Sequence, residues 1–543
     1  MFIRKRKNPS GSISIQIIDK SSGKYKVIET IACVKDDLEL EFYLAKAENR
    51  MKQLNPNLFD IVEFQEKKHR FLSIKNKEIS LVGPDLIFGF IMEYIGCNKA
   101  LKKLKEKELF KQLVISRIID PGSKLNLIDY LYIYKHQELD KNHIYRFLDT
   151  LNFNLKEQIE QCIFDYTSTI TGGITVSFYD VTTLYFEASS EDDLRKVGFS
   201  KDGKFTKPQI LLGLLTSLEG YPLGFEIHQG NIYEGKTFIP ILKKVQKKFN
   251  ISKPIVVADS GLLSKANILE LERLNYKYIL GARIKSASNE IKQKIVDLKL
   301  NEQKDIDTIF LSSSQKMIIS YSQKRAKKDK YTREKNFEKL KIKVKSGNLT
   351  KSHLNNKGYN KYLTLSNTCK TTITIDEDKY TYDSNFDGLK GFVTNDKSLS
   401  PNQIIDHYTN LWHIERAFRI SKTDLKIRPI YHRLEHRIYS HILISFVAYT
   451  VYKEFERKLK SNNIKMKRKN AISFIKSMYG IVQNDEVALM ELSDEQKLIY
   501  NLFYKSWIWV SIWESQEEIL TSLATRRQGQ KKRIIYKLLF IFS

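Results

Sequence analysis

Cysteine is scarce: four residues in 543, Cys33, Cys97, Cys162 and Cys369, far apart and without a CxxC pair. That excludes a disulfide framework and a recognisable zinc ribbon, and it fits a reducing compartment. Proline and glycine are also few, at 10 and 23, which excludes a collagen-like chain and argues against a largely disordered one. Long apolar runs are missing too. The most apolar stretches, 86–95 and 442–451, fall short of the roughly 20 residues that span a bilayer. The basic start, Phe2-Ile-Arg-Lys-Arg-Lys7, leads into no signal-peptide core, so a cytoplasmic protein is expected. Acid is in short supply: 63 Asp and Glu stand against 91 Lys and Arg, a net charge of +28. Such an excess favours a polyanion as partner, because each neutralised phosphate releases condensed counterions.

What is present suffices for a packed core, with 42% hydrophobic and 11% aromatic residues. The length predicts about three or four domains, or one core with large insertions. Ser12–Ile18 and Tyr25–Thr30 read as a β-hairpin and Asp37–Leu54 as an amphipathic helix, giving a region over 1–83. From 84 to 172 the periodicity is helical, broken at Asp120-Pro121-Gly122-Ser123, and this basic region is a candidate DNA-binding module. At Gly173 the texture changes. Ile174–Phe186, Ile210–Ser217 and Tyr221–Gln229 read as strands and Lys236–Phe249 as a helix. Ile255–Ala258, Lys265–Leu274 and Tyr276–Ala282 follow as strand, helix and strand. The order β-β-β-α-β-α-β is that of a ribonuclease-H-like α/β core, here over 173–284.

Residues 285–390 read as an inserted β-rich basic subdomain, in which Gln323–Lys345 carries eleven basic against three acidic residues. A solvated face and a DNA contact are equally good readings of that run. The core resumes over 391–455, with a strand at Leu389–Val393 and one helix from Pro401 to Ile420, capped by Ser400. From 456 to 543 a basic helical region is expected, with Trp507, Trp509 and Trp513 in its core.

Three acidic residues stand out by position. Asp180 lies inside an apolar strand, where a lone carboxylate costs several kcal/mol unless paired or bound to metal. Asp259 directly follows Val256-Val257-Ala258, and open α/β sheets place ligands at strand carboxyl ends. Glu415 falls in the helix that starts near Pro401. Each alone is more often a cap, an ion-pair partner or a surface residue; together they make a donor set. Attack on a phosphodiester needs an activated oxygen nucleophile and a stabilised leaving oxygen, which two Mg²⁺ ions about 4 Å apart supply. Mg²⁺ prefers oxygen ligands, so three carboxylates suit it, with Mn²⁺ able to substitute. Tyr408, Glu415 and Lys422 recur every seven residues, one stripe along a helix, with Arg419 a turn beyond Glu415. Such a stripe offers one acid to metal and flanking groups to phosphate; an intrahelical ion-pair ladder is the plainer alternative. His432, His436 and His441 lack HExxH spacing and read as surface or packing residues.

Tyr408-x2-Leu411-x3-Glu415-x6-Lys422 resembles the Y-x2-R-x3-E-x6-K element of IS4-type insertion-sequence transposases. Residues 179–186 and 258–262 are similar to the segments that carry that family's two aspartates. Ser116–Lys124, Gly230–Lys236, Lys324–Asp329, Asp387-Gly388 and Arg428-Pro429-Ile430 resemble the IS1634 branch. The resemblance implies a DDE enzyme of cut-and-paste DNA transposition, binding metal through Asp180, Asp259 and Glu415. It implies contacts to DNA through Tyr408, Arg419 and Lys422. It also implies a homodimer or higher oligomer gripping double-stranded terminal inverted repeats and target DNA at a bacterial nucleoid. Leu411 departs from the family's Arg, whose phosphate contact is then either absent or supplied elsewhere, for instance by Arg416 or Arg419. Two alternatives stay open: a nuclease of the same core without strand transfer, and a catalytically inactive DNA-binding regulator.

Overall fold

The computed structural model describes residues 1–21, 23–35, 37–54, 75–151, 153–188, 190–249, 254–262, 264–347, 349–355, 358–366, 372–483 and 486–503. Trp507, Trp509, Trp513 and Cys369 lie outside them. The chain divides into two compact units, one of Met1–Ser80 with Gly480–Ala488, the other of Leu81–Tyr479 with the residues from Leu489. Among the described residues no helix is long and apolar enough to cross a membrane.

In the first unit, β1 (Phe2–Lys7), β2 (Ile13–Asp19) and β3 (Lys26–Val34) form an antiparallel sheet packed on α1 (Asp37–Leu54). The expected hairpin is β2 and β3. Its partner β1 was not legible, because Arg4, Lys5 and Arg6 hide the alternation that Phe2 and Ile3 begin. A register shift between Ile17 and Ile18 lets both side chains be buried. After β4 (Ile79–Leu81), the strands of the second unit begin.

That unit is built on an eight-stranded mixed sheet. Its members are β5 (Val176–Tyr185), β6 (Gln209–Ser217), β7 (Pro222–Gln229), β8 (Ile255–Ala258), β9 (Tyr278–Ala282), β10 (Ile306–Phe310), β11 (Lys316–Tyr321) and β14 (Leu389–Thr394). They lie side by side in the order β10-β11-β14-β9-β8-β5-β6-β7. β8 runs parallel to both β5 and β9, and the other neighbours are antiparallel. A separate pair, β12 (Leu363–Ser366) and β13 (Thr372–Ile375), stands apart from it.

Alternation along these strands sends side chains to two cores. Phe178, Leu212, Val257, Ile279 and Phe392 face one of them. Helices α2 (Leu104–Ile119), α3 (Lys141–Thr150) and α4 (Phe153–Thr171) contribute to that core. Tyr179, Leu211, Val256 and Leu280 face the other, under α5 (Phe238–Phe249) and α6 (Lys265–Arg273). β5 and β6 are apolar on both sides because both of their faces are covered.

The basic run is a single 23-residue helix, α7 (Gln323–Lys345), so 285–390 is not β-rich as its composition had implied. Its β10 and β11 extend the main sheet through β14, and α7 packs Phe337 and Leu340 against Tyr362. Arg333 binds Asp387 at 2.8 and 3.0 Å, and Gly388 donates its N–H to Asp329 at 3.2 Å. The Asp387-Gly388 pair thus clamps α7 to the start of β14.

The expected helix from Pro401 to Ile420 is two helices, α8 (Pro401–Thr409) and α9 (Trp412–Arg419). Ser400 caps the first with Pro401 at its opening position, as the sequence predicts. The division lies at Asn410-Leu411, from which the Leu411, His413 and Ile414 N–H groups reach back three residues instead of four. After α9 the chain widens into a π-type turn at Ile420–Asp424. The spine of the unit is α10 (Glu435–Ser461), buried along most of its length. The region beyond 456 is not wholly helical either, since β15 (Tyr479–Gln483) and β16 (Glu486–Leu489) follow.

Glu454 on α10 is fully buried, accepting from the Tyr221 hydroxyl at 2.7 Å and from two Arg457 nitrogens at 2.7 Å. Glu454→Ala strands the buried Tyr221 hydroxyl and opens a void, so unfolding free energy should drop by about 3 kcal/mol. Denaturant titration of the variant checks this.

Candidate active site

The parallel register of β5 and β8 pairs Tyr179 with Ala258 as its last step. The next residues along the two chains are Asp180 and Asp259. Neighbouring strands lie about 4.8 Å apart, so the two carboxylates emerge from adjacent backbones. Alternation puts Asp180 on the side of Phe178 and Asp259 on the side of Val257. That face is covered by Tyr408, Leu411 and Ile414 of the α8–α9 segment. The Tyr408 hydroxyl donates to Asp259 Oδ1 at 3.0 Å.

On β9, Leu280 pairs with Ala258, which sets Gly281 beside Asp259. A Cβ at Gly281 would run into the Tyr408 hydroxyl. Gly281→Ala should therefore push Tyr408 off Asp259, lowering any activity of the site by about 100-fold, as an ångström-scale misplacement does. Circular dichroism and activity measured on the same preparation separate this from misfolding.

Asp180 is partly buried, and the Val181 N–H donates to its Oδ1 at 2.7 Å. Burial pushes its carboxyl up to about 6, against the pull of Lys201 and the Val181 N–H, while Glu234 and Asp259 add repulsion. Lys201 Nζ lies 4.0 Å from Asp180 and 3.0 Å from Glu234. Glu415 is exposed and makes no ion pair or side-chain hydrogen bond among the described residues, so no intrahelical ion ladder explains it. Its charge is felt nearby: burial, then Asp259, Glu415 and Asp180 together drive the Tyr408 phenol far above its ordinary range. Lys390 Nζ lies 4.4 Å over the Tyr408 ring. Burial and Arg325 push its ammonium down, and Asp259 and Glu415 pull it up.

Tyr408, Glu415 and Lys422 are not on one regular helix. The tightened turn before α9 and the π-type turn after it rotate the stripe apart. Lys422 instead binds both Asp202 oxygens at 3.3 Å, and Arg428 pairs with the same carboxylate. Arg416 pairs with Glu456 and covers Trp412. Arg419 is exposed without a partner among the described residues. His436 and Arg437 bind Asp149 at the surface, and His441 is buried with the His432 ring edge-on to it, so all three histidines serve contacts within the protein.

Among the described residues no group of three or more His, Cys, Asp or Glu side chains is close enough to hold a metal ion. The donors still suit a hard divalent cation. They are all oxygen, and Asp180, raised by burial with smaller pushes from Glu234 and Asp259, is an anion that a cation would relieve. Lys201, Glu234, Arg325 and Lys390 were not legible as site residues. Only Glu234, inside the Gly230–Lys236 motif, and Arg325, inside the Lys324–Asp329 motif, carried any signal. The site sets Asp180 midway along β5 and Asp259 just past the end of β8, with Glu415 on a facing helix and cationic side chains around them.

The family model for the transposase DDE domain matches residues 171–451, and the chain belongs to that family. No curated protein matches it. Among solved structures it is similar to a piggyBac transposase synaptic complex with hairpin DNA, at 10% identity over 73% of this chain and 79% of that one, with a TM-score of 0.37. It is also similar to a Mos1 transposase paired-end complex with left transposon end, at 12% identity over 33% of this chain and 59% of that one, with a TM-score of 0.15. Overlaps this weak carry no argument about fold or chemistry.

Proposed function

We propose that this chain cuts DNA at the ends of an insertion element and joins the freed 3′-ends to target DNA, as a cut-and-paste transposase of the IS4 type and IS1634 branch. The observation that carries the reading is the β5–β8 register, which brings Asp180 beside Asp259 under Tyr408, with Glu415 on the adjoining helix. The strand order β9-β8-β5-β6-β7, with helices on both faces, supports a ribonuclease-H-like core. In this reading 1–83 and 84–172 precede the core, 285–390 is its elaboration, and 456–543 follows it.

Asp180, Asp259 and Glu415 would hold two Mg²⁺ ions, or Mn²⁺, which stabilise charge on the attacking and leaving oxygens when bound. Tyr408 fixes the rotamer of Asp259 by its hydrogen bond. Lys201 and Lys390 offset the carboxylates' charge. Exposed Arg419 is free to meet a phosphate, whereas Arg416 and Lys422 must first leave Glu456 and Asp202. The net charge of +28 favours double-stranded DNA as the partner, gripped by a homodimer or larger oligomer in a bacterial nucleoid.

The test is a strand-transfer assay with duplexes copied from the inverted repeats that flank the gene, a target plasmid, and Mg²⁺ or Mn²⁺. Metal-dependent cleavage followed by joined products is expected. Cleavage without joining would favour the nuclease, and binding without cleavage in either metal would overturn the enzymatic reading.

A further inference from the structure

Two motifs, Ser116–Lys124 and Arg428-Pro429-Ile430, have no part in the carboxylate site, yet they fold together around a cavity of about 640 Å³. Its wall carries Arg117, Lys124, Lys426, Arg428 and His432, and no described lining residue is acidic. Lys124 and Arg117 are only 6% and 4% exposed. Buried cations are ordinarily paired with carboxylates, and these are not. The acceptors of Arg117 are carbonyls, those of Gly122, Lys426 and Leu425 at 3.0, 3.3 and 3.4 Å.

Lys124 Nζ lies 2.9 Å from His441 Nδ1, and His441 Nε2 lies 2.8 Å from the Ile427 carbonyl. A carbonyl can only accept, so Nε2 carries the proton and Nδ1 accepts from Lys124. One ammonium N–H is thereby used, and no carboxylate among the described residues meets the others. Asp202 reaches Arg428, but it is shared with Lys422. Burial pushes the Lys124 ammonium well down, with Arg117 adding to it, and pushes His432 and Arg117 down too, so the cavity holds a set of basic groups that an anion would relieve.

We propose that this cavity binds a phosphate group, held by Lys124, Arg117 and Lys426 with His432 and Arg428 at its rim. The volume admits a phosphate together with the sugar that bears it. Ile430 donates its N–H to the Tyr185 carbonyl at 3.1 Å, which ties the cavity wall to the end of β5. Tyr185 is five residues beyond Asp180, about 17 Å at the usual strand rise. At 3.4 Å per step of a DNA strand, that is about five nucleotides. The cavity lining includes none of Asp180, Asp259 and Glu415, so the assignment stands without the carboxylate site. Two sources share this chemistry, free phosphate and the backbone of a DNA strand.

Two variants of the full chain test it. Lys124→Met removes the buried ammonium. Lys426→Asn removes an exposed one at a left-handed position (φ 44°) that Asn tolerates, so the fold is safe. If free phosphate is the ligand, inorganic phosphate raises the wild-type melting temperature relative to chloride at equal ionic strength, and both variants lose most of that rise. If a DNA phosphate is the ligand, inorganic phosphate does nothing. Both variants then bind duplex about tenfold more weakly at fixed salt, with a shallower salt dependence than the wild type. Variants that match the wild type in both measurements would overturn the proposal, and Lys426→Asn alone decides if Lys124→Met fails to fold.

Discussion

Asp180→Asn is expected to abolish DNA cleavage while making the protein more stable at neutral pH. The amide keeps the size of the carboxyl but cannot serve as an anionic metal ligand, so activity should fall by at least about 10³-fold. The stability effect follows from the same carboxyl. Its folded-state value, about 6, lies above the ordinary 3.8, because burial and the charges of Glu234 and Asp259 disfavour the anion. A raised acid binds its proton more tightly in the folded protein, so it favours folding less as pH climbs from about 4 through 6. Below that window the penalty is absent; above it, it is complete. A shift of this size corresponds to at most about 3 kcal/mol, and partial exposure reduces it to roughly 1–2 kcal/mol. Melting curves in EDTA should therefore show Asp180→Asn a few degrees above the wild type at pH 7.5, with the gain gone at pH 4. A variant less stable than the wild type at pH 7.5 would mean that the carboxylate is a structural anchor.

The aspartates could be read from the sequence because each interrupts or closes an apolar run, and an apolar run with an acid in it is a local signal. The order of elements from Val176 to Ala282 was legible for the same reason: β5, β6 and β8 are covered on both sides and read as apolar segments. Lys390 could not be found this way. It lies on β14, brought to Tyr408 by the β14–β9 pairing, and nothing near it in the chain marks that neighbour. Lys201 likewise reaches Asp180 from a loop. The α8–α9 division escaped notice because neither Asn410 nor Leu411 is a helix breaker of the Gly or Pro kind. Leu411, where the family pattern has Arg, is buried in the core, so its place in the fold is apolar. The length of α7 was masked by its charge, since apolar periodicity is the usual helix signal and α7 has little of it.

Glu415→Gln is the complementary case, with an equally large loss of cleavage and no change in stability. Glu415 is exposed on α9, where Ile414, Ala417 and Phe418 make the packing contacts and Glu415 bonds to no described side chain. Removing its charge leaves the core untouched, and surface substitutions of this kind fall within about 0.5 kcal/mol of the wild type. Its reach is electrostatic, toward Tyr408 and Lys390 beside Asp259. In the proposed reading Glu415 is the third carboxylate for a divalent cation, a role compatible with such indifference to folding. The variant should bind element-end duplex within about twofold of the wild type, since a lost negative charge does not weaken a contact with phosphate, while cleavage falls by at least about 10³-fold. The pairing of unchanged melting temperature and binding with lost cleavage separates this role from an ion-pair role, which would move stability and spare the chemistry. Retained cleavage in Glu415→Gln would remove Glu415 from the metal-binding set and leave Glu234, the acid that Lys201 joins to Asp180, as the next candidate for the third ligand.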